Sequence, residues 1–158
     1  GDFDINLLVI GTEGIECSQG GGAIFDPHQV IVAFASSVTV SGVTVTSFDG
    51  GSASATQSVA GAVVTVNMTG VTDQHNYFIT LTNVDDGAST GNVVIPIGIL
   101  RGDTDGNAAV NAGDISQTKS RSGQAVTAAN FREDIHANGS IRAADVSRVK
   151  ANSGANLP

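Results

Sequence analysis

The last third of the sequence contains one pattern twice, at a spacing of 31 residues. Asp103 and Asp114 recur as Asp134 and Asp145. Further identities at the same spacing are Asn107/Asn138, Ala112/Ala143, Ser116/Ser147, Lys119/Lys150 and Gly123/Gly154. Because chance seldom places so many identities at one offset, this part of the chain is predicted to be a duplicated structural unit.

The first copy begins with a loop that is rich in oxygen-bearing side chains. Calcium takes about six to eight oxygen ligands, and a twelve-residue loop supplies them from alternate positions and from its last residue. Those positions are Asp103, Asp105, Asn107, the carbonyl of Ala109, Asn111 and Asp114. Three carboxylates this close together repel one another unless a cation lies between them. The first loop is therefore predicted to bind Ca²⁺, the alternative being an Asp- and Asn-rich turn that caps a helix.

The second copy keeps part of this ligand set. Its oxygen donors are Asp134, Asn138, the carbonyl of Ser140 and Asp145. His136 occupies the third position, and Arg142 brings a positive charge to the ninth. Since a hard cation such as Ca²⁺ prefers oxygen to imidazole nitrogen, two hypotheses stay open. Either the loop binds Ca²⁺, or hydrogen bonds and the Arg142 charge hold it.

Residues 101–155 resemble the dockerin family. The resemblance lies in the stretches 102–114 and 134–145, each followed by a predicted helix. It implies tandem EF-hand-type calcium loops in an extracellular, calcium-stabilised bacterial protein, and a role in docking to a cohesin domain. Cohesin-binding dockerins usually carry hydroxyl side chains at the tenth and eleventh loop positions, which here are Ala112–Gly113 and Ala143–Ala144.

The charges divide the chain near residue 100. All seven Lys and Arg residues lie between Arg101 and Lys150, whereas residues 1–100 carry acidic residues and no Lys or Arg. A break of this kind is typical of a domain boundary. We predict an N-terminal strand and hinge over residues 1–14, a β domain over 15–100 and a calcium-binding domain over 101–158.

The β domain is predicted from alternation of Val, Ile and Thr with small polar residues, interrupted by Gly, Asn and Asp. The predicted strands are 15–18, 29–35, 38–40, 43–48, 53–59, 62–68, 76–82 and 92–99. They favour an antiparallel, immunoglobulin-like β-sandwich. Predicted helices at 114–122, 128–134 and 143–151 follow, so the fold class is mostly β with a small α module.

The first ten residues form a predicted strand of their own, 3–10, in which Phe3, Ile5, Leu7 and Val9 share one face. The strand has two possible positions. It pairs within its own sandwich, or it completes the sheet of a neighbouring copy as a donor strand. Repeated head to tail, the second arrangement builds a filament.

The remaining features narrow the class of function. A net charge of −8 excludes a globally basic surface for nucleic acid, and no apolar run reaches the roughly 18 residues of a membrane span. No histidine stands where it would activate a Ser or Cys nucleophile, so the chain is predicted to be non-enzymatic. Asn67 begins an N-glycan acceptor pattern. We expect a secreted structural protein of the bacterial cell surface, a filament or surface-layer subunit whose partners are its own copies. A cohesin-like protein and glycans are the further candidate partners. The alternative is an adaptor that docks to a cohesin-like partner.

Overall fold

The computed structural model describes Ile5, Leu7, residues 13–19 and residues 28–158. Most of the predicted strand 3–10, including Phe3 and Val9, lies outside the described residues. The strands are β1 Gly14–Glu16, β2 His28–Ala33, β3 Gly42–Ser47, β4 Ser54–Ala60, β5 Val63–Thr69, β6 His75–Asp85 and β7 Thr90–Ile99. The helices are α1 Ala112–Arg121 and α2 Ala143–Ala151, with a short 3-10 helix at Phe131–Glu133. The prediction of a mostly β chain with a small helical part is confirmed.

The strands form two sheets around a shared core. One sheet has the order β1-β7-β6-β3 and the other β2-β5-β4. Alternate residues of β5 (Val64, Val66, Met68) and of β6 (Ile79, Leu81) are fully buried in one hydrophobic cluster. This period of two, which the sequence already shows, places one face of each strand against the core and the other outward. The outward face is mainly polar, with Val63 and Phe78 each 38% exposed.

Three predicted elements differ from the structure. β1 pairs with β7 in parallel, with Gly14 opposite Ile97, so the prediction of a wholly antiparallel arrangement is wrong at this edge. The long connection between β1 and β7 permits a parallel pair, and local alternation does not encode that pairing. The predicted strand 38–40 forms only a single bridge, between Thr39 and Asp85.

The predicted helix 128–134 is the third difference, because only the short 3-10 helix Phe131–Glu133 forms there. Asn130 Oδ1 accepts hydrogen bonds from the Thr127 amide at 2.6 Å and from Thr127 Oγ1 at 3.0 Å. That contact resembles a helix cap, but the amides that follow donate to carbonyls only three residues earlier, Glu133 to Asn130 and Asp134 to Phe131, so the turn is a 3-10 helix.

A second hydrophobic cluster joins β1 to the repeat. It contains Ile15 of β1 together with Leu100, Val110, Ile135 and Val149. Backbone bonds reinforce the contact: the Leu100 amide donates to Glu16 O, the Gly102 amide to Cys17 O and the Gln19 amide to Ile135 O. The segment 13–19 therefore contacts both the sheets and the repeat.

The two helices of the repeat are short. The residue two positions before each helix is buried, Val110 before α1 and Ile141 before α2, at equivalent positions of the two copies.

Among the described residues, no helix combines the length and apolar character needed to cross a membrane.

Candidate metal centre

Three carboxylates converge in the first loop. One oxygen each of Asp103, Asp105 and Asp114 lies within 4.8 Å of the others. Asp103 and Asp114 are fully buried, whereas Asp105 is exposed. No other three His, Cys, Asp or Glu side chains converge in this way within the part of the chain that the structure describes. The sequence placed these three residues among the ligands, and the fold brings them together.

Backbone amides hold Asp103 in place. Its Oδ1 accepts from the amides of Gly106 and Asn107, and its Oδ2 accepts from that of Ala108, at 2.9 to 3.1 Å. Burial raises the pKa of Asp103, an effect that the bonds from Ala108 and Asn107 oppose and the neighbouring Asp105 reinforces. The amides bend the loop around this carboxylate and direct it toward Asp105 and Asp114.

Asp114 connects the loop to α1. Its Oδ1 accepts from the amide of Thr104 at 2.8 Å, and its Oδ2 accepts from the amide of Asn111 at 2.8 Å. Asn111 Oδ1 accepts in turn from the Gly113 amide and caps the helix. The acid at the last loop position therefore also lies in the first turn of α1, where the helix dipole favours negative charge.

The other predicted ligands of this loop lie beside the three acids. Asn107 Nδ2 donates to Asp105 Oδ2, and Asn107 Oδ1 accepts from the Ala109 amide. Asn111 Nδ2 donates to the Ala109 carbonyl at 3.3 Å. Ligation by Asn107, Ala109 and Asn111 stays a prediction. The donor set is all oxygen, and residues 103–114 contain no Lys, Arg or His, so the chemistry of this loop fits a hard divalent cation.

The second loop is arranged differently. Asp134 accepts from the amides of Asn138 and Gly139. Asp145 Oδ1 lies 2.9 Å from Nδ1 of His136, a distance for a hydrogen bond to the imidazole. Ser140, whose carbonyl is a predicted ligand, pairs with Ala125 in an isolated bridge.

Both loops place two residues in the left-handed backbone region, and glycine occupies opposite positions in the two copies. Gly106 and Ala108 have φ of 75° and 68° in the first loop. At the equivalent positions of the second loop, Ala137 has φ of 49° and Gly139 has φ of 83°. Each loop thus contains one alanine where its Cβ is strained.

Replacing Ala137 with Gly should stabilise the protein by about 1 kcal/mol, since it relieves the left-handed strain of an exposed residue. Urea unfolding followed by circular dichroism measures the change. Ala144→Gly, at an exposed position of α2, is the control and should cost about 0.5–1 kcal/mol. Equal losses in the two variants would contradict the expectation.

Arg132 is a residue that the sequence analysis missed. Its guanidinium donates to three backbone carbonyls: Nε to Thr104 at 2.9 Å, Nη2 to Asp103 at 2.8 Å and Nη1 to Ile15 at 3.1 Å. It therefore joins the first loop to β1. The repeat contains a signal for it, because Arg101 and Arg132 each stand two residues before the first acid of a loop.

A second carboxylate–imidazole pair, Asp49 and His75, lies in a surface cleft between β6 and the end of the chain. Its lining consists of Asp49, Asp73, Gln74, His75, Asn156, Leu157 and Pro158. Asp49 Oδ1 lies 2.9 Å from His75 Nδ1, and Asp49 Oδ2 accepts from the Asn76 amide. Burial alone would raise the pKa of Asp49, but hydrogen bonds from Ser47, Asn76 and His75 outweigh it and lower the pKa to about 2. Among the residues that the structure describes, this lining contains no Ser, Thr, Cys or Lys.

Stability should fall in acid partly through Asp49. Its pKa in the folded protein lies below the usual value, so its contribution is present above about pH 4 and is lost as the pH falls toward 2. Asp49→Asn should flatten this part of the curve of unfolding free energy against pH. Identical slopes for the two proteins between pH 4 and 2 would contradict the assignment.

The remaining predicted site residues have these positions. Ile5 and Leu7 are half-buried, and Leu7 packs against the core cluster of the two sheets. Asn67 is half-buried on β5, and its Oδ1 accepts from Gln29 Nε2 at 3.0 Å. Its glycosylation stays a prediction.

Compared with models of protein families, with curated proteins and with solved structures, the chain gives no match.

Proposed function

We propose that this chain is a non-enzymatic, extracellular structural subunit of a bacterial filament or surface layer. In this proposal an immunoglobulin-like sandwich precedes a dockerin-like module stabilised by calcium, and copies join through the N-terminal strand. The observation that carries the proposal is the edge of β7 over Thr90–Pro96, with which no described strand pairs.

β7 has a partner along one edge and only a short one along the other. It pairs with β6 over most of its length, whereas β1 covers only Ile97–Ile99 on the opposite edge. Among the described residues, no strand pairs with this edge over Thr90–Pro96. Val93 and Ile95 of this stretch pack into the core. An unpaired edge beside a hydrophobic core is suited to accept an added strand.

The N-terminal segment provides a strand of suitable character. Its face of Phe3, Ile5, Leu7 and Val9 is apolar, and Leu7 already packs against this core. The same contacts made between copies rather than within one copy constitute strand exchange, a low-cost route to assembly. Gly11 and Gly14 flank the short connection to β1 and favour a hinge.

The proposed cation of the first loop is Ca²⁺. Support comes from the three convergent oxygens of Asp103, Asp105 and Asp114 and from the all-oxygen donor set around them. The module that it would stabilise also packs against β1 through Ile15. Calcium would therefore stiffen the region from which the N-terminal strand emerges.

Deletion of residues 1–10 tests the assembly. In calcium-containing buffer the unaltered chain should form polymers visible by light scattering and electron microscopy, and the deletion should leave monomers. Leu7→Asp should act like the deletion. Ile31→Asp, at a position that is 57% exposed, is the control and should still assemble. If the unaltered chain stays monomeric and Leu7→Asp only lowers its melting temperature, the strand pairs within its own copy and the proposal fails.

A cohesin-binding adaptor is the second candidate. Ala112, Gly113, Ala143 and Ala144 are all exposed at the starts of α1 and α2, so this face is accessible to a partner. The double change Ala112→Ser and Gly113→Thr should strengthen binding to a cohesin domain measured by calorimetry. No binding in either form would remove this candidate.

A further inference from the structure

We propose that His136 takes the place of a cation in the second loop, so that each chain binds a single calcium ion, in the first loop. The stoichiometry rests on the calcium site of the proposed function. The claim about the second loop rests on its own geometry.

The geometry shows an internal closure of the second loop. Asp145 Oδ1 accepts from the backbone amide of His136 at 3.1 Å and lies 2.9 Å from its Nδ1. Asp145 Oδ2 accepts from the Arg142 amide at 2.8 Å. One residue thus reaches the final acid with both its backbone and its side chain. In the first loop the equivalent residue is Asp105, whose amide also donates to the final acid, to Asp114 Oδ1 at 3.3 Å, but whose side chain adds a third carboxylate where His136 offers an imidazole.

The charges of the two loops also favour a cation in the first loop and not in the second. Residues 103–114 contain three acids and no basic side chain, and residues 134–145 contain two acids together with His136 and Arg142. The two remaining acids are buried, Asp134 at 5% exposure and Asp145 at 0%. Buried carboxylates need hydrogen-bond donors or a cation. Backbone amides donate to the buried acids of both loops, but in the second loop an imidazole also faces the last acid.

A cation in the second loop would have to displace this arrangement. The imidazole occupies the side of Asp145 that corresponds to the position of Asp105 beside Asp114. The oxygens of Asp134 and Asp145 have no third carboxylate with which to converge, although all of residues 101–158 are described. Since Ca²⁺ binds oxygen far better than imidazole nitrogen, the second loop is closed without it.

Hydrogen exchange tests the difference within a single molecule. Addition of a chelator should speed exchange of the Asn107 and Ala108 amides, which bind Asp103, at least tenfold. The equivalent amides, Asn138 and Gly139, bind Asp134 and should exchange at an unchanged rate. Equal acceleration in the two loops would overturn the inference.

Calorimetric titration with Ca²⁺ gives the second readout. The unaltered chain should bind one ion and the His136→Asp variant two, while Ala137→Asp, which adds an acid beside the imidazole, should bind one. Two ions on the unaltered chain, or one on His136→Asp, would overturn the inference. If the unaltered chain binds none, the first-loop calcium proposal fails. His136→Asp then decides the inference alone: one ion supports it and none overturns it.

Discussion

Replacement of Arg132 with Met should lower the free energy of unfolding by about 3 kcal/mol. The guanidinium donates to three carbonyls, those of Thr104, Asp103 and Ile15, and a hydrogen bond to a charged group contributes about 1.5–3 kcal/mol. Met fills much of the same volume but donates nothing. Because Arg132 is only half-buried and water can replace part of what is lost, we expect a loss below the sum for three such bonds. Urea unfolding followed by circular dichroism measures the loss.

Arg121→Met is the matched control for this substitution. Arg121 is exposed, and substitutions at such positions usually change stability by less than about 0.5 kcal/mol. Arg132→Lys should recover only part of the loss, because a single ammonium group cannot reach three carbonyls as a planar guanidinium does. Equal stabilities of the two Met variants would show that Arg132 does not hold the first loop to β1.

Removal of calcium should have the second large effect. A ligand that binds only the folded protein adds about 2.7 kcal/mol when it is present at about 100 times its dissociation constant. Chelation should therefore lower the melting temperature, and the extent should follow the free calcium concentration. Asp105→Asn should abolish this dependence, because it removes the exposed carboxylate of the convergent three.

Asp105 suits this test better than the other two acids. Asp103 and Asp114 also accept several backbone amides, so their removal would destabilise the loop with or without an ion. Asp86→Asn, in the exposed turn between β6 and β7, is the control and should keep the response to chelator. A melting temperature that ignores chelator in the unaltered chain would exclude a bound ion.

The part of the candidate site that follows from sequence is the part encoded by short-range spacing. Asp103, Asp105 and Asp114 lie within one twelve-residue loop, and a loop of this length brings its odd positions and its last residue to one centre. The same holds for the buried faces of β5 and β6, where alternation alone separates core from surface. Both patterns act over a few residues, and the second copy of the repeat makes the first recognisable.

The contacts that sequence did not reveal span long separations. Arg132 reaches Ile15 across more than a hundred residues, and β1 meets β7 in a parallel pairing that no local pattern specifies. The predicted helix at 128–134 is replaced by a 3-10 turn, in which the Glu133 and Asp134 amides donate to the carbonyls of Asn130 and Phe131. In each case a specific side chain or a distant strand, rather than a periodic pattern, decided the structure.

The parallel alignment of β1 and β7 determines how the protein would respond to tension. In the proposed filament, a pull on the N-terminal strand would enter at the start of β1, and the neighbour's strand would pull on the edge of β7. Strands that point the same way are then dragged lengthwise past each other, so the hydrogen bonds across Gly14–Glu16 are loaded together rather than broken one at a time. Arg132 donates to the Ile15 carbonyl, and the Ile15 side chain is buried in the second hydrophobic cluster. In the proposed filament, these contacts would make β1 the segment of each copy that resists the pull.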